Sequence, residues 1–220
     1  MQNPGARLLP VAVACAAPVL YALWIRPRML TWGATRDETT GAYPGDELVS
    51  DPDGGATMAT TLPAPPERVW PWLVQMGGDR AGWYSWDWLD NKGEPSADRI
   101  VPEWQSVEEG QRLKGPTNWW TVVVVQPYRT LVLRSSYGLL TGRSFDSRSG
   151  RLPRAYVDGI WGFHLRPAPE GRTRLVVRTR SWSRPRPLAR PLDLLVGEPV
   201  HFIMQTRQFQ NLRQRVAAHV

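Results

Sequence analysis

Two kinds of hydrophobic periodicity alternate along the chain. The stretch Ala56 to Leu62 (ATMATTL) alternates apolar and polar positions and is rich in threonine, which predicts a strand. Pro65-Pro66 then suits a helix start, and Val69, Trp72, Leu73 and Met76 follow at i, i+3, i+4 and i+7 before Gly77-Gly78 ends the helix. Pro71 sits inside that pattern and predicts a kink or a late start. Strands return at Thr121 to Gln126 and Thr130 to Ser135, and a hairpin at Ile160 to Arg166 and Arg172 to Trp182. Alternation in the hairpin puts Trp161, Phe163, Leu165, Leu175 and Val177 on one face and His164, Arg166, Arg174, Arg178 and Arg180 on the other. The arginine face is expected to be solvated. Pro199 to Ala218 reads as a terminal helix with Val200, Ile203, Met204, Leu212 and Val216 inward.

Between these elements the periodicity lapses. Residues 31–55 are rich in Gly, Pro and Asp and form a linker or wrapping arm, so the globular domain is expected over 56–220. Gly82 to Gln105 is an aromatic and acidic block, expected to hold two or three short helices; Tyr137 to Tyr156 reads as a mobile polar loop. Residues 1–30 form an apolar N-terminal segment in which Leu8 to Ile25 is uncharged over 18 residues, about 27 Å as a helix. A transmembrane anchor, a cleaved leader ending near Ala14-Cys15-Ala16 and a buried core helix all fit this run. Arg26 and Arg28 outnumber Arg7, which favours a cytoplasmic main domain and a single-pass membrane protein.

Composition narrows the chemistry. One Cys and three His in 220 residues exclude a disulfide framework and make a cysteine-rich or histidine-rich metal centre unexpected, so no metal is assigned. The chain has no phosphate-binding glycine loop, GxGxxG, GxSxG or HExxH, and no cofactor is expected. Residues 1–110 carry 8 basic and 15 acidic side chains, residues 111–220 carry 19 and 5. A basic partner surface would therefore lie in the second half, but the arginines fall on a plain hairpin without a recognition element, and no nucleic acid is expected.

The order is strand, helix, short helices, antiparallel strands, long helix. Over residues 45–218 the stretches APPERVWPWLVQMG, GGDRAGWYSWDWLDN, ADRIVPEWQ, WGFHLRPAPEGRTRLVVRTRS and EPVHFIMQTRQ resemble the SRPBCC, or START-like, superfamily that includes polyketide cyclase/dehydratase-like proteins. The resemblance implies an α+β helix-grip fold: a curved antiparallel sheet wrapped around the C-terminal helix, with an apolar cavity between them, here preceded by a transmembrane helix. It implies a cavity and no particular reaction.

Two functions follow as expectations. One is a membrane-tethered protein binding a hydrophobic small molecule or lipid, with Trp83, Tyr84, Trp104, Trp119, Trp161 and Phe163 as cavity walls. The other is a cyclase/dehydratase-like enzyme in which Asp98, Glu103 and His201 are the proton-transfer groups and Tyr84 orients the substrate. They part on whether a carboxylate meets His201 inside the cavity.

Overall fold

The computed structural model describes residues 19–116, 118–147 and 151–218. A π-helical turn, Tyr21–Ile25, runs into α1 (Arg26–Leu30), and α2 (Arg36–Thr40) follows. Then come β1 (Gly54–Leu62), α3 (Pro66–Val74), α4 (Asp87–Asp90), β2 (Arg112–Lys114), β3 (Trp119–Gln126), β4 (Thr130–Gly138), β5 (Tyr156–Ala168) and β6 (Arg172–Arg184). The chain ends in α5 (Arg186–Leu192), a π-helical turn Asp193–Gly197 and α6 (Glu198–Ala218). The six strands form one antiparallel sheet in the order β1-β6-β5-β4-β3-β2. One face of the sheet packs on α3 and α6 in a helix-grip arrangement, with Leu62, Val69, Leu73, Phe163, Leu175, Phe209 and Leu212 in a common core.

Local chemistry explains most of these elements. The β5–β6 hairpin pairs thirteen residues on each side; Trp161, Phe163, Leu165, Leu175 and Val177 face inward along its middle, and its turn holds Glu170 and Gly171 at φ 62° and 65°. The α3 helix continues through Pro71. The N–H that proline lacks would have met the carbonyl of Glu67, an exposed residue of the first turn. In the aromatic block only α4 and a 3-10 turn, Pro102–Trp104, are helical.

Three expectations need correction. The arginine face of the hairpin is solvated only at Arg166; the arm of residues 31–53 lies across Arg174, Arg178 and Arg180. Tyr43 packs on Ala59 and Val176, and Val49 on Val132 and Ile160. Above them Glu38 accepts two 2.8 Å hydrogen bonds from Arg174, Asp46 accepts from Arg178 at 2.8 Å, and the Val49 carbonyl accepts from Arg180 at 2.9 Å. Part of the charge of the basic second half is thus paired with acidic residues of the first half within the molecule, and a net charge of +7 remains. His164, also on this face, is buried against the Tyr43 ring at 4.6 Å, and burial pulls its pKa down to about 4.

The arm also shields an edge. Ala59, on edge strand β1, donates its N–H to the Trp32 carbonyl at 3.0 Å. The next residue, Gly33, sits at φ +70° where a Cβ would lie 2.2 Å from the Ala59 carbonyl oxygen, so only glycine permits this approach.

The second correction concerns α6. Ile203 is exposed, while Gln205, Gln208, Phe209, Leu212 and Val216 are buried. The third concerns the loop after β4: Gly138 donates to the Arg143 carbonyl and Phe145 to the Ser136 carbonyl, so residues 139–145 fold back onto the strand. Of the predicted anchor, residues 8–18 lie outside the described residues; among the described residues no helix is long and apolar enough to cross a membrane.

Candidate functional site

A cavity of about 490 Å³ lies between the sheet, the first turns of α6 and the segment Trp83–Asp90. Its aromatic wall is Trp83, Trp120 and Trp161. Trp83 stacks on Trp161 with ring centres 5.4 Å apart, and Trp120 stands 5.5 Å from Trp161. Two of the rings are held by their N–H groups. Trp83 donates to the Lys114 carbonyl and Trp161 to Gln205 Oε1, each at 3.2 Å. Gln205 donates in turn to Gln208, and Gln208 to the Trp83 carbonyl, both at 2.8 Å. This chain of buried amides, from the Trp161 N–H to the Trp83 carbonyl, explains the glutamines on the inner face of α6: each satisfies a polar group that an apolar residue would strand.

Polar groups gather at two places in the lining. At the start of α6, Glu198 is 5% exposed and clasped by Arg26 at 2.6 and 2.8 Å and by Arg190 at 3.0 Å; Arg190 also holds Asp193 at 2.7 Å. One turn on, His201 lines the cavity. Its burial pulls its pKa down to about 4 against the opposing pull of Glu198, so the imidazole is neutral at pH 7.

The other polar group is Asp90, at the end of α4. It lines the cavity at 2% exposure, and neither carboxylate oxygen has a hydrogen-bond partner. Burial, assisted by Asp87, pushes its pKa up to about 6, although its own backbone N–H and the Ser85 hydroxyl are near enough to favour the charged form somewhat. The Ser85 hydroxyl itself donates to the Met204 carbonyl at 3.2 Å.

Of the residues expected as walls, Trp83 and Trp161 line the cavity. Phe163 lies behind Trp161, with ring centres 4.8 Å apart, in the core. Tyr84 is fully buried outside the lining; its hydroxyl accepts from Gln75 Nε2 at 2.7 Å, and burial raises its pKa. Trp104 is half-buried against the core. Trp119 faces the opposite side of the sheet beneath the Arg112 guanidinium, 4.8 Å away, in a second, more polar depression of about 670 Å³.

Among the proton-transfer candidates only His201 reaches the cavity. Asp98 and Glu103 are exposed and outside its lining, so the acidic groups sharing the cavity with His201 are Glu198, Asp193 and Asp90. Trp120 escaped sequence reasoning because TVVVV carries no phase. Once Val122 is known to face the core, a period of two turns Trp120 inward and Trp119 outward. Among the described residues no group of three or more His, Cys, Asp or Glu side chains could hold a metal ion.

No family model and no curated protein matches the chain. Among solved structures it is similar to protein MLL2253 from Mesorhizobium loti, at 18% identity over 75% of this chain and 98% of that chain, with a TM-score of 0.41. It is also similar to protein CV1439 from Chromobacterium violaceum (13% identity, 74% and 96% covered, TM-score 0.43). A third is the hypothetical protein jhp0584 from Helicobacter pylori (11% identity, 81% and 94% covered, TM-score 0.45). At these scores the likenesses carry no functional argument, and the helix-grip description rests on strand order and helix placement.

Proposed function

We propose that this chain is a membrane-tethered SRPBCC-type protein, of the polyketide cyclase/dehydratase-like kind, that binds a hydrophobic small molecule or lipid between the sheet and α6. The tether is Leu8 to Ile25, and the main domain is cytoplasmic. The observation that carries the reading is the lining itself: three mutually packed indoles, two of them with the N–H satisfied by Lys114 and Gln205, beside a neutral imidazole and an unpaired carboxylate. Apolar rings supply contact area, and a few polar groups fix orientation, which is the usual division of labour in a small-molecule site.

One feature favours the cyclase/dehydratase alternative. His201 and Asp90 line one cavity with pKa values moved to about 4 and about 6, which leaves at pH 6 to 7 a neutral imidazole and a carboxyl that changes protonation in the same range.

The test is a titration of the full chain in lipid nanodiscs with an anthracene-bearing fatty acid, with empty nanodiscs as the blank. Saturable quenching of Trp emission at one probe per chain is expected, with weaker binding in Trp161→Phe. Quenching that does not saturate above the blank overturns the reading. Under the enzyme alternative, a bound polyketide-like substrate is converted, and Asp90→Asn abolishes turnover while retaining probe binding.

A further inference from the structure

Two segments about 170 residues apart in sequence share one surface. Tyr21 donates its hydroxyl to the Leu194 carbonyl at 2.9 Å, and Arg26 clasps Glu198, so the N-terminal turn Tyr21–Ile25 lies against the turn Asp193–Gly197. Together with α5 they leave large apolar side chains in the open: Leu23 and Trp24 on one segment, Leu188, Leu192, Leu195 and Val196 on the other, each half exposed or more. A soluble surface scatters such residues singly; a cluster of this size marks an interaction face.

The occupant is identified by what surrounds the face. The uncharged run from Leu8 leads directly into Leu23 and Trp24, so the same apolar character continues out of the sequence and into the folded domain. Arg28 and Arg184 are exposed at its borders and form no ion pair among the described residues, which suits the phosphates of an anionic leaflet. The face also borders the cavity, since Asp193 and Gly197 of its turn line the cavity, and Glu198 and Val200 continue that lining onto α6.

We propose that α5, Asp193–Gly197 and Tyr21–Ile25 form one platform embedded in the membrane interface, and that the cavity fills directly from the bilayer with a membrane-partitioned ligand. The inference rests on the tethered-binder reading and adds a second point of contact, which orients the cavity mouth against the lipid. A tether alone would let the domain tumble in water; the platform fixes it.

The test uses the full chain in Cys15→Ser background with one environment-sensitive label at Leu195→Cys or, as the distal control, at Glu170→Cys in the β5–β6 turn. Each protein is reconstituted in phosphatidylcholine–phosphatidylglycerol vesicles. The expected result is a blue-shifted Leu195 label that doxyl lipids quench and iodide does not, with the reverse at Glu170. A Leu195 label open to iodide overturns the platform, and one shielded from both quenchers overturns it in favour of a second copy of the chain. Failure to associate with vesicles overturns it as well. Probe titration of the same proteins in detergent reports the binding reading separately, so loss of the platform and loss of the ligand site give different patterns.

Discussion

Asp90→Asn should gain stability relative to the native chain as pH rises above about 4 to 6, and should remove the titration of the site. Asp90 is buried without a partner, and its pKa is raised from an ordinary 3.8 to about 6. Between those values the folded state binds the proton more tightly than the unfolded chain. Its contribution is therefore neutral at low pH, becomes destabilising as pH rises through 4 to 6, and reaches its full size above 6. A difference of about two pKa units corresponds to about 3 kcal/mol at neutral pH. Asparagine removes that titration but brings its own burial cost, an amide short of partners, which is worth about 1–3 kcal/mol and does not depend on pH. Comparing the variant with the native chain at two pH values cancels the constant part.

Urea titrations followed by Trp emission, on full chain in detergent at pH 4 and at pH 7.5, give the two differences. The difference at pH 7.5 should favour Asp90→Asn by about 2 kcal/mol more than the difference at pH 4. Equal differences at the two pH values would mean that Asp90 titrates normally, through partners or water that relieve it, and the argument for a polar handle at this position would fail.

If Asp90 is that handle, native probe binding changes between about pH 5 and 7, the change disappears in Asp90→Asn, and it persists in His201→Gln, whose imidazole is already neutral across that range. A pH profile abolished by His201→Gln instead would reverse the assignment. Glu38→Gln should loosen the arm and cost about 2–3 kcal/mol at pH 7 by leaving the half-buried Arg174 without its carboxylate, with only the Gly33 carbonyl and Thr61 hydroxyl as partners outside position 38. The Glu38 carboxyl is held at about 2 by Arg174, so this stabilisation is present above pH 4.5 and is lost as pH falls toward 2; the penalty measured by urea titration should shrink accordingly. Trp161→Ala should remove probe binding and destabilise by about 3–5 kcal/mol, whereas Trp119→Ala, on the far face, should leave binding unchanged.

The sequence by itself determined the elements and their class. Period-two alternation over the β5–β6 hairpin, the Pro65-Pro66 start of α3 and the uninterrupted final helix are local signals, and local sterics and burial are enough to produce them. Trp161 was legible for the same reason, since it falls on the inward phase of a strand with a readable pattern, whereas Trp83 and His201 were named from residue type and place in the chain. Tertiary structure decided what those faces meet. Arginines spaced two apart look like a solvated face until Glu38 and Asp46, more than 130 residues earlier in the chain, fold over them, and no local pattern encodes such a partner. Asp90 looks like one of several acidic residues in a polar block; burial alone separates it from exposed Asp98 and Glu103. The same holds for Gln205 and Gln208, whose inward placement contradicts hydrophobic patterning and becomes intelligible once Trp161 and the Trp83 carbonyl are in reach. Periodicity reports which side of an element faces inward, whereas the free energy of a buried charge or amide depends on the groups that long-range packing brings to it.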